Sequence, residues 1–237
     1  MSRLEWSRRV GALGQFKVAD VANPVLDTSA RHHLHGVLRA KDGEEIVVTD
    51  GRGHWAMAGV GATTILRASD VHLDDPLADT TVYMAPVKGE RSEWAIAKLT
   101  EVGVARVVPL LSERLATRFR GEARDKVMHR WRRISEESAA QCRRTYDLVI
   151  EAPVSVDQVP ADVAICDFDG SGDWNGVSAI AVGPEGGFAP GEWDDARRRL
   201  ALGPSVLRAE TAAVLAGSLL AFGAGGWGFT LGGAAHG

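Results

Sequence analysis

Arg208, Glu210 and Thr211 form a polar turn between the apolar segment "LGPSVL" and a run of small residues, "AAVLAGS". Earlier in the chain, "VGPEGGF" sets a glycine-rich turn, residues 183–187, directly after an apolar run and before "PGEWDDARRRL". A cation and a carboxylate side by side can stabilise a developing anion or take up a proton. Glycines let a backbone approach a bound molecule closely. Two polar turns on neighbouring buried strands would form a cleft at the strand ends, the usual place for a ligand in an open α/β sheet.

A phosphate is the first ligand to consider, because strand, glycine turn and helix present backbone N–H groups to anions. The pattern argues against it. No Gly-Lys-Ser/Thr follows, and Gly183, Gly186 and Gly187 lack the spacing and the early position of a dinucleotide fingerprint. A plain tight turn with positive φ at Gly186 or Gly187 is the alternative. The other eye-catching cluster, His32, His33 and His35 in "HHLH", has no Cys or carboxylate partner at ligand spacing, so a surface helix start and no metal are expected. Asp167 and Asp169, just beyond "VAIC", are turn residues or cofactor contacts at a strand's carboxyl end.

These residues need a scaffold, and the pattern changes along the chain. Apolar runs at 46–48 and 55–60 flank the turn signal Asp50-Gly51, which suggests a small β-barrel. The acidic "DDPLADT", residues 74–80, reads as a linker, dividing the chain into domains of residues 1–75 and 76–237. Beyond it, apolar runs alternate with helical periodicity, the mark of α/β architecture. "TVYMAP", "RVVPLL", "VAICDF" and "SAIAV" are strands. "RSEWAIAKLTEVG" is a helix burying Trp94, Ile96 and Ala97 and stopping at Gly103, and a second helix aligns Val127, Trp131, Ile134 and Ser138. "PGEWDDARRRL" reads as a third, with acids in its first turn and arginines in its last.

With 237 residues and 45% hydrophobic content, the chain can fill real cores. Cys142 and Cys166 lie in unlike segments, suggesting neither a disulfide framework nor a metal site, and "MSRLEWSRRV" lacks the apolar core of a signal peptide. A cytosolic location is expected. Residues 211–237 carry no Asp, Glu, Lys or Arg, but Gly223, Gly225, Gly226 and Gly228 leave only about a dozen helical residues, the length of a buried or interface helix rather than a membrane span. Charge is segregated: residues 88–144 hold 14 Lys and Arg against 8 Asp and Glu, while the rest holds 13 against 23. That basic segment suits an anionic polymer, and a solvated helix face is the alternative.

"VGPEGGF" and "LGPSVLRAETA", preceded in order by "VKGERSEWAIAKLTEVGV", "PLLSERL" and "AAQCRR", resemble the RsmE family of 16S ribosomal RNA uridine N3-methyltransferases, members of the SPOUT superfamily. The resemblance implies an α/β domain with a trefoil knot, a preceding PUA-like β-barrel domain that binds RNA, a homodimer, and S-adenosyl-L-methionine as cofactor. It makes Asp167, Val182, Gly183, Pro184, Glu185, Gly186, Gly187, Leu202, Gly203, Val206, Leu207, Arg208 and Thr211 the cofactor-binding candidates. Because that cofactor has no phosphate, the glycine turn becomes a backbone wall rather than a phosphate cradle.

On the same footing, Arg208 would stabilise the uracil anion, and Glu210 would accept the proton or orient Arg208 through an ion pair. Lys88, Arg91, Arg114, Arg130, Arg133, Gln141, Arg143 and Arg144 would contact 16S rRNA within the 30S subunit. Two departures stand out: Ala209 occupies a position where the family more often has threonine, and Ala140 precedes Gln141 where a Glu-Gln pair is usual. A non-catalytic RNA-binding or ribosome-assembly factor on the same fold is the rival reading. A Rossmann-type methyltransferase is disfavoured, because its glycine motif should open the domain.

Overall fold

Asp50 builds the hairpin turn of the amino-terminal sheet from its own side chain. Its carboxylate accepts from the backbone N–H of Arg52 at 2.7 Å and of His54 at 3.2 Å, while Gly51 and Gly53 take φ of 74° and 98°. In this computed structural model, which describes residues 3–62, 64–87, 89–114, 119 and 121–223, the chain divides into two units. The first comprises residues 1–76 with 136–147, and the second residues 77–135 with 148–237.

The first unit contains α1 (Arg3–Gly11), β1 (Gln15–Lys17), α2 (Thr28–His32), β2 (Glu45–Thr49), β3 (His54–Val60), β4 (Ile65–Arg67) and β5 (His72–Leu73). Its five strands pair in the order β1-β2-β3-β4, with β5 also on β3. Phe16, Leu34, Ile46, Val48, Ala56 and Ala58 form its core. Asp27 caps α2 by accepting from Ala30 N–H at 2.7 Å; His32 ends that helix, and His33 and His35 lie on the π-helical turn that continues it.

Residues 136–147 join this unit because two glycines admit them. A Cβ on Gly51 would run into the Asp147 carboxylate, and one on Gly53 into the Tyr146 ring. Asp74, expected in a linker, is instead a hub, accepting from Arg9 at 2.7 Å, Trp55 Nε1 at 2.9 Å and Thr145 Oγ1 at 2.7 Å. Arg9 is buried and stacks 4.8 Å over the Trp55 ring; a buried guanidinium is tolerable because it is paired.

The second unit is a parallel sheet. β6 (Thr81–Met84), β7 (Arg106–Leu111), β8 (Val149–Ile150), β9 (Val154–Ser155), β10 (Ala164–Ser171), β11 (Ala179–Val182) and β12 (Arg199–Leu200) run in the order β12-β10-β11-β6-β7-β8, with β9 on β7. Every pairing is parallel. Both faces are covered, which is why the strands read as continuous apolar runs. On β11, Ile180 and Val182 enter one core with Leu99, Trp131 and Leu220, while Ala181 enters another with Leu110, Ile165 and Trp193.

Three helices complete the unit: α3 (Arg91–Glu101), α4 (Gly121–Cys142), whose last turns count with the first unit, and α5 (Ala209–Gly223). α5 packs against α3 closely enough that a Cβ on Gly217 would overlap Leu99 and Val104. Gly223 ends α5, and Gly225, Gly226 and Gly228 lie outside the described residues. Among those residues no helix is long and apolar enough to cross a membrane.

Two helix expectations need correction. α3 buries Ser92, Ala95, Ile96, Leu99 and Thr100, whereas Trp94 is 46% exposed and Ala97 is half-buried; the stripe that meets α5 decides the buried face, not residue size. The segment 190–200 is not a helix but a series of turns leading into β12. Side chains hold it in that form. Glu192 accepts from Ala189 N–H at 2.7 Å and Glu113 N–H at 2.6 Å, Asp194 accepts from Ala196 N–H at 2.9 Å, and Arg197 donates to the carbonyl of Val159 at 2.7 Å. These bonds replace the backbone ladder that a helix would supply.

Candidate functional site

After β11 the chain turns at once. Gly187 N–H donates to the Pro184 carbonyl at 2.8 Å, and Gly187, rather than Gly186, takes positive φ, at 67°. This turn is one wall of a cleft at the carboxyl end of the sheet. The facing wall is the irregular segment 201–208 after β12, with Gly203 at φ 130°. That segment is not a strand, and β10 separates β12 from β11, so the two turns do not sit on neighbouring strands. The cleft spans β10, which supplies its floor.

Asp167, Val182, Gly183, Pro184, Glu185, Gly187, Leu202, Gly203, Val206 and Leu207 line this cleft; Gly186, Arg208 and Thr211 do not. Cys166, Phe168, Phe188, Ser205, Ala209 and Ala212 also line it and were not read from the sequence. Regular alternation would turn Asp167 away from Cys166 and Phe168. The pairing of β10 with β12 shifts register between Cys166 and Ser171, so all three reach the cleft. Phe188 did carry a signal, as the aromatic residue directly after the glycines.

Asp167 is a turn residue that also lines the cleft. Its carboxylate accepts from Asp169 N–H at 3.3 Å, as a turn residue does, and from the Arg199 guanidinium. Burial works to raise its pKa, yet the bonds from Arg199 and the backbone hold it below the ordinary carboxylate value. Beside it, burial and then the Asp167 charge push the Cys166 thiol up to about 11, so sulfur faces the cleft as a neutral thiol at neutral pH.

The glycine turn is tethered from several sides. Phe188 meets Trp193 edge-on, with centroids 5.1 Å apart, and Arg197 covers the Trp193 ring at 4.9 Å. Arg114 donates to the Gly186 carbonyl, and Arg91 donates to Glu185. The opposite wall is held near its ends, where Trp174 Nε1 donates to the Ala201 carbonyl at 3.2 Å and Leu202 and Leu207 pack against the core, while between them Val206 is 88% exposed.

The ion pair expected between Arg208 and Glu210 is not formed. Residues two apart do not face each other on a helix. Arg208, just before α5, is exposed and makes no side-chain hydrogen bond or ion pair among the described residues, while its carbonyl accepts from Ala212 N–H at 2.8 Å. Glu210 turns inward, 6% exposed, with Oε1 3.8 Å from Arg91 Nη1 and Oε2 without a hydrogen-bond partner among the described residues.

The RNA-contact candidates fall in different settings. Lys88 lies outside the described residues, as do Arg118 and Arg120 of the basic segment. Arg91 and Arg114 hold the glycine turn. Arg130 pairs with Glu93 at 2.7 Å, and Arg133 is exposed on α4. Gln141, Arg143 and Arg144 line a groove of the first unit together with Phe16, Lys17 and His33. Arg143 donates to the carbonyls of Ala140 at 2.8 Å and Ala12 at 2.7 Å. Arg144 donates to those of Tyr146 and Asp147, and burial lowers its pKa to about 10. Both therefore serve the first unit's own structure. Among the described residues no group of three or more His, Cys, Asp or Glu could hold a metal ion.

Comparison with known proteins agrees with this geometry. The RNA methyltransferase domain model matches residues 74–221, and the RNA methyltransferase PUA domain model matches residues 26–62. A protein of Mycobacterium bovis named ribosomal RNA small subunit methyltransferase E is 32% identical over 81% of this chain and 83% of its own length. One of the same name from Synechocystis is 29% identical over 82% and 71%. A Legionella pneumophila structure, solved in complex with the bound cofactor SAM, superimposes with a TM-score of 0.74 at 28% identity, covering 87% of this chain and 96% of that one. The parallel sheet, the order of motifs and these matches lead to one conclusion: the chain belongs to the ribosomal RNA small subunit methyltransferase E family.

Proposed function

We propose that this protein transfers the methyl group of S-adenosylmethionine to N3 of a uridine in the 16S rRNA of the small ribosomal subunit, and that it does so as a cytosolic homodimer. One observation carries the reading: among the described residues the cleft is lined by backbone, apolar side chains and the two carboxylates of Asp167 and Glu185, with no Lys or Arg. A phosphate would meet two carboxylates and no cation among those residues, whereas a phosphate-free nucleoside with a cationic sulfonium arm suits it. At Gly187 and Gly203, no atom of the described residues beyond the adjoining ones lies within 4 Å of where a Cβ would stand, so the space over both backbones is open to a ligand. Residues 183–187, Leu202, Gly203 and Leu207 would hold the cofactor, inside the knot that the family resemblance implies, and the Asp167 carboxylate would accept hydrogen bonds from its hydroxyls.

When bound, the cofactor supplies an activated methyl group. The chain must align the uracil and favour its anion. A paired or stacked base hides N3, so the target must be extruded or taken from an open strand. As the N3 proton leaves, charge spreads over N3 and both carbonyl oxygens, and a guanidinium fixed beside them stabilises that charge. Arg208, at the mouth of the cleft and unpaired among the described residues, is the candidate. Arg130 and Arg133 on α4 are the phosphate contacts. Changing both to Glu should weaken RNA binding and flatten its salt dependence while sparing S-adenosylmethionine.

The dimer is supported by α5, whose Leu215 is exposed and Val214 and Leu219 half-buried on a helix that carries no charged residue after Glu210. Leu219→Arg should give monomers or insoluble protein. A soluble, fully active monomer would exclude α5 from the interface. Calorimetry with S-adenosylmethionine, followed by methyl transfer to 30S particles, tests the activity. Binding without transfer would favour the non-catalytic factor.

A further inference from the structure

We infer that Arg91 is a positioning residue that ties two sides of the cleft together: its guanidinium holds the 183–187 turn through Glu185 and the first turn of α5 through Glu210. The inference rests on the S-adenosylmethionine reading of the cleft. Arg91 opens α3, and the mounting is firm. The buried Ser92 hydroxyl accepts from Val87 N–H at 2.8 Å and donates to the Val87 carbonyl at 3.2 Å, and Ala95, Ile96 and Leu99 anchor the helix in the core.

The two carboxylates come from opposite sides of the site. Glu185 lines the cleft itself, and Ala209 and Ala212, which flank Glu210, line it as well. Glu210 is buried, and a buried carboxylate is unfavourable unless a cation faces it. Among the described residues, Arg91 is the cation that forms an ion pair with it. A planar guanidinium presents donors to two acceptors at once, which an ammonium on a flexible stem does poorly. Arg114, on the Gly186 carbonyl, adds a second tether to the same turn. Arg91 thus acts on the cofactor side of the molecule rather than in the RNA contact that the family resemblance implies.

The test compares Arg91→Gln, Arg91→Lys and Glu185→Gln with the unaltered protein by three measurements: S-adenosylmethionine affinity by calorimetry, hydrogen–deuterium exchange of residues 183–187 without ligand, and affinity for 16S rRNA. Arg91→Gln should weaken cofactor binding about tenfold or more, because the buried Glu210 carboxylate loses the cation that faces it and the 183–187 turn loses its tether. It should also speed exchange in the turn, and Arg91→Lys should recover only part of both effects. Glu185→Gln alters a half-exposed side chain that folding does not need, and it should still weaken binding severalfold. The double variant Arg91→Gln/Glu185→Gln should be no more than about twofold worse than Arg91→Gln, because both act through one link. Unchanged cofactor affinity and exchange in Arg91→Gln, with RNA affinity lost, would make Arg91 a phosphate contact and overturn the inference. Fully additive losses would do the same. If the unaltered protein bound no S-adenosylmethionine, the functional reading would fail, while the exchange measurement would still decide whether Arg91 holds the turn.

Discussion

The two walls of the cleft are built by opposite rules. Residues 183–187 are tied by Arg91, Arg114 and the Phe188–Trp193 pair to helices, strand ends and core. Residues 201–208 are anchored through Ala201, Leu202 and Leu207, but between and beyond those anchors they have an exposed Val206, a glycine at φ 130° and an exposed Arg208. The difference teaches a division of labour. A preorganised wall can hold a cofactor at fixed distance from its target, because alignment of reacting atoms is what speeds a transfer. A less constrained wall can receive a substrate that arrives on a large RNA, the side on which we propose that Arg208 acts.

The largest expected effect breaks the substrate side alone. Arg208→Ala should slow single-turnover methylation by about a hundredfold or more, the scale of losing one charge-stabilising donor, while S-adenosylmethionine binds within about tenfold of normal. If Glu210→Gln proved far more damaging to the chemical step than Arg208→Ala, the division of roles would be wrong. Next comes the backbone of the adaptable wall. Gly203→Val forces a branched side chain into a conformation that essentially only glycine adopts, a strain of about 1–3 kcal/mol; cofactor affinity should fall about tenfold, as read by calorimetry. Gly187→Ala, at a milder left-handed φ, should cost less. On the clamped wall, Phe188→Leu removes the edge-on contact, worth about 0.5–1.5 kcal/mol, and should weaken cofactor binding a few-fold with little change in fold.

The smallest effect is on the floor. Because the Asp167 carboxyl is held below its ordinary value, its stabilising contribution is present above the unfolded pKa and is lost as pH falls through the folded one. In urea melts, the difference between the natural protein and Asp167→Asn, at most about 1 kcal/mol for a partly exposed pair, should be full at pH 7 and shrink below about pH 4. A difference that grew on acidification would contradict the Arg199 pairing.

Much of this site was legible in the sequence, because local chemistry encodes it. Apolar runs bounded by turn formers give β2, β3, β6, β7 and β11, and the glycines of residues 183–187 mark a tight turn, which only the family resemblance turns into a backbone wall for a cofactor. What was not legible depends on distant partners. Glu192 and Asp194 hold residues 190–200 as turns by accepting from backbone N–H groups, one of them at Glu113. The register shift in β10 brings Cys166 and Phe168 to the cleft beside Asp167. Residues 136–147 belong to the first unit because Gly51 and Gly53 leave room for Tyr146 and Asp147. Arg91 read as one more basic residue, since nothing near it in the chain announces Glu185 and Glu210.

The measurement that tests the central claim most directly is transfer of labelled methyl from S-adenosylmethionine to 30S particles that lack the modification, with the product nucleosides identified by mass spectrometry. The account predicts one methyl group per particle, on N3 of a uridine, and its near loss in Arg208→Ala. Methylation of a ribose or of another base, or no transfer by protein that demonstrably binds the cofactor, would contradict it.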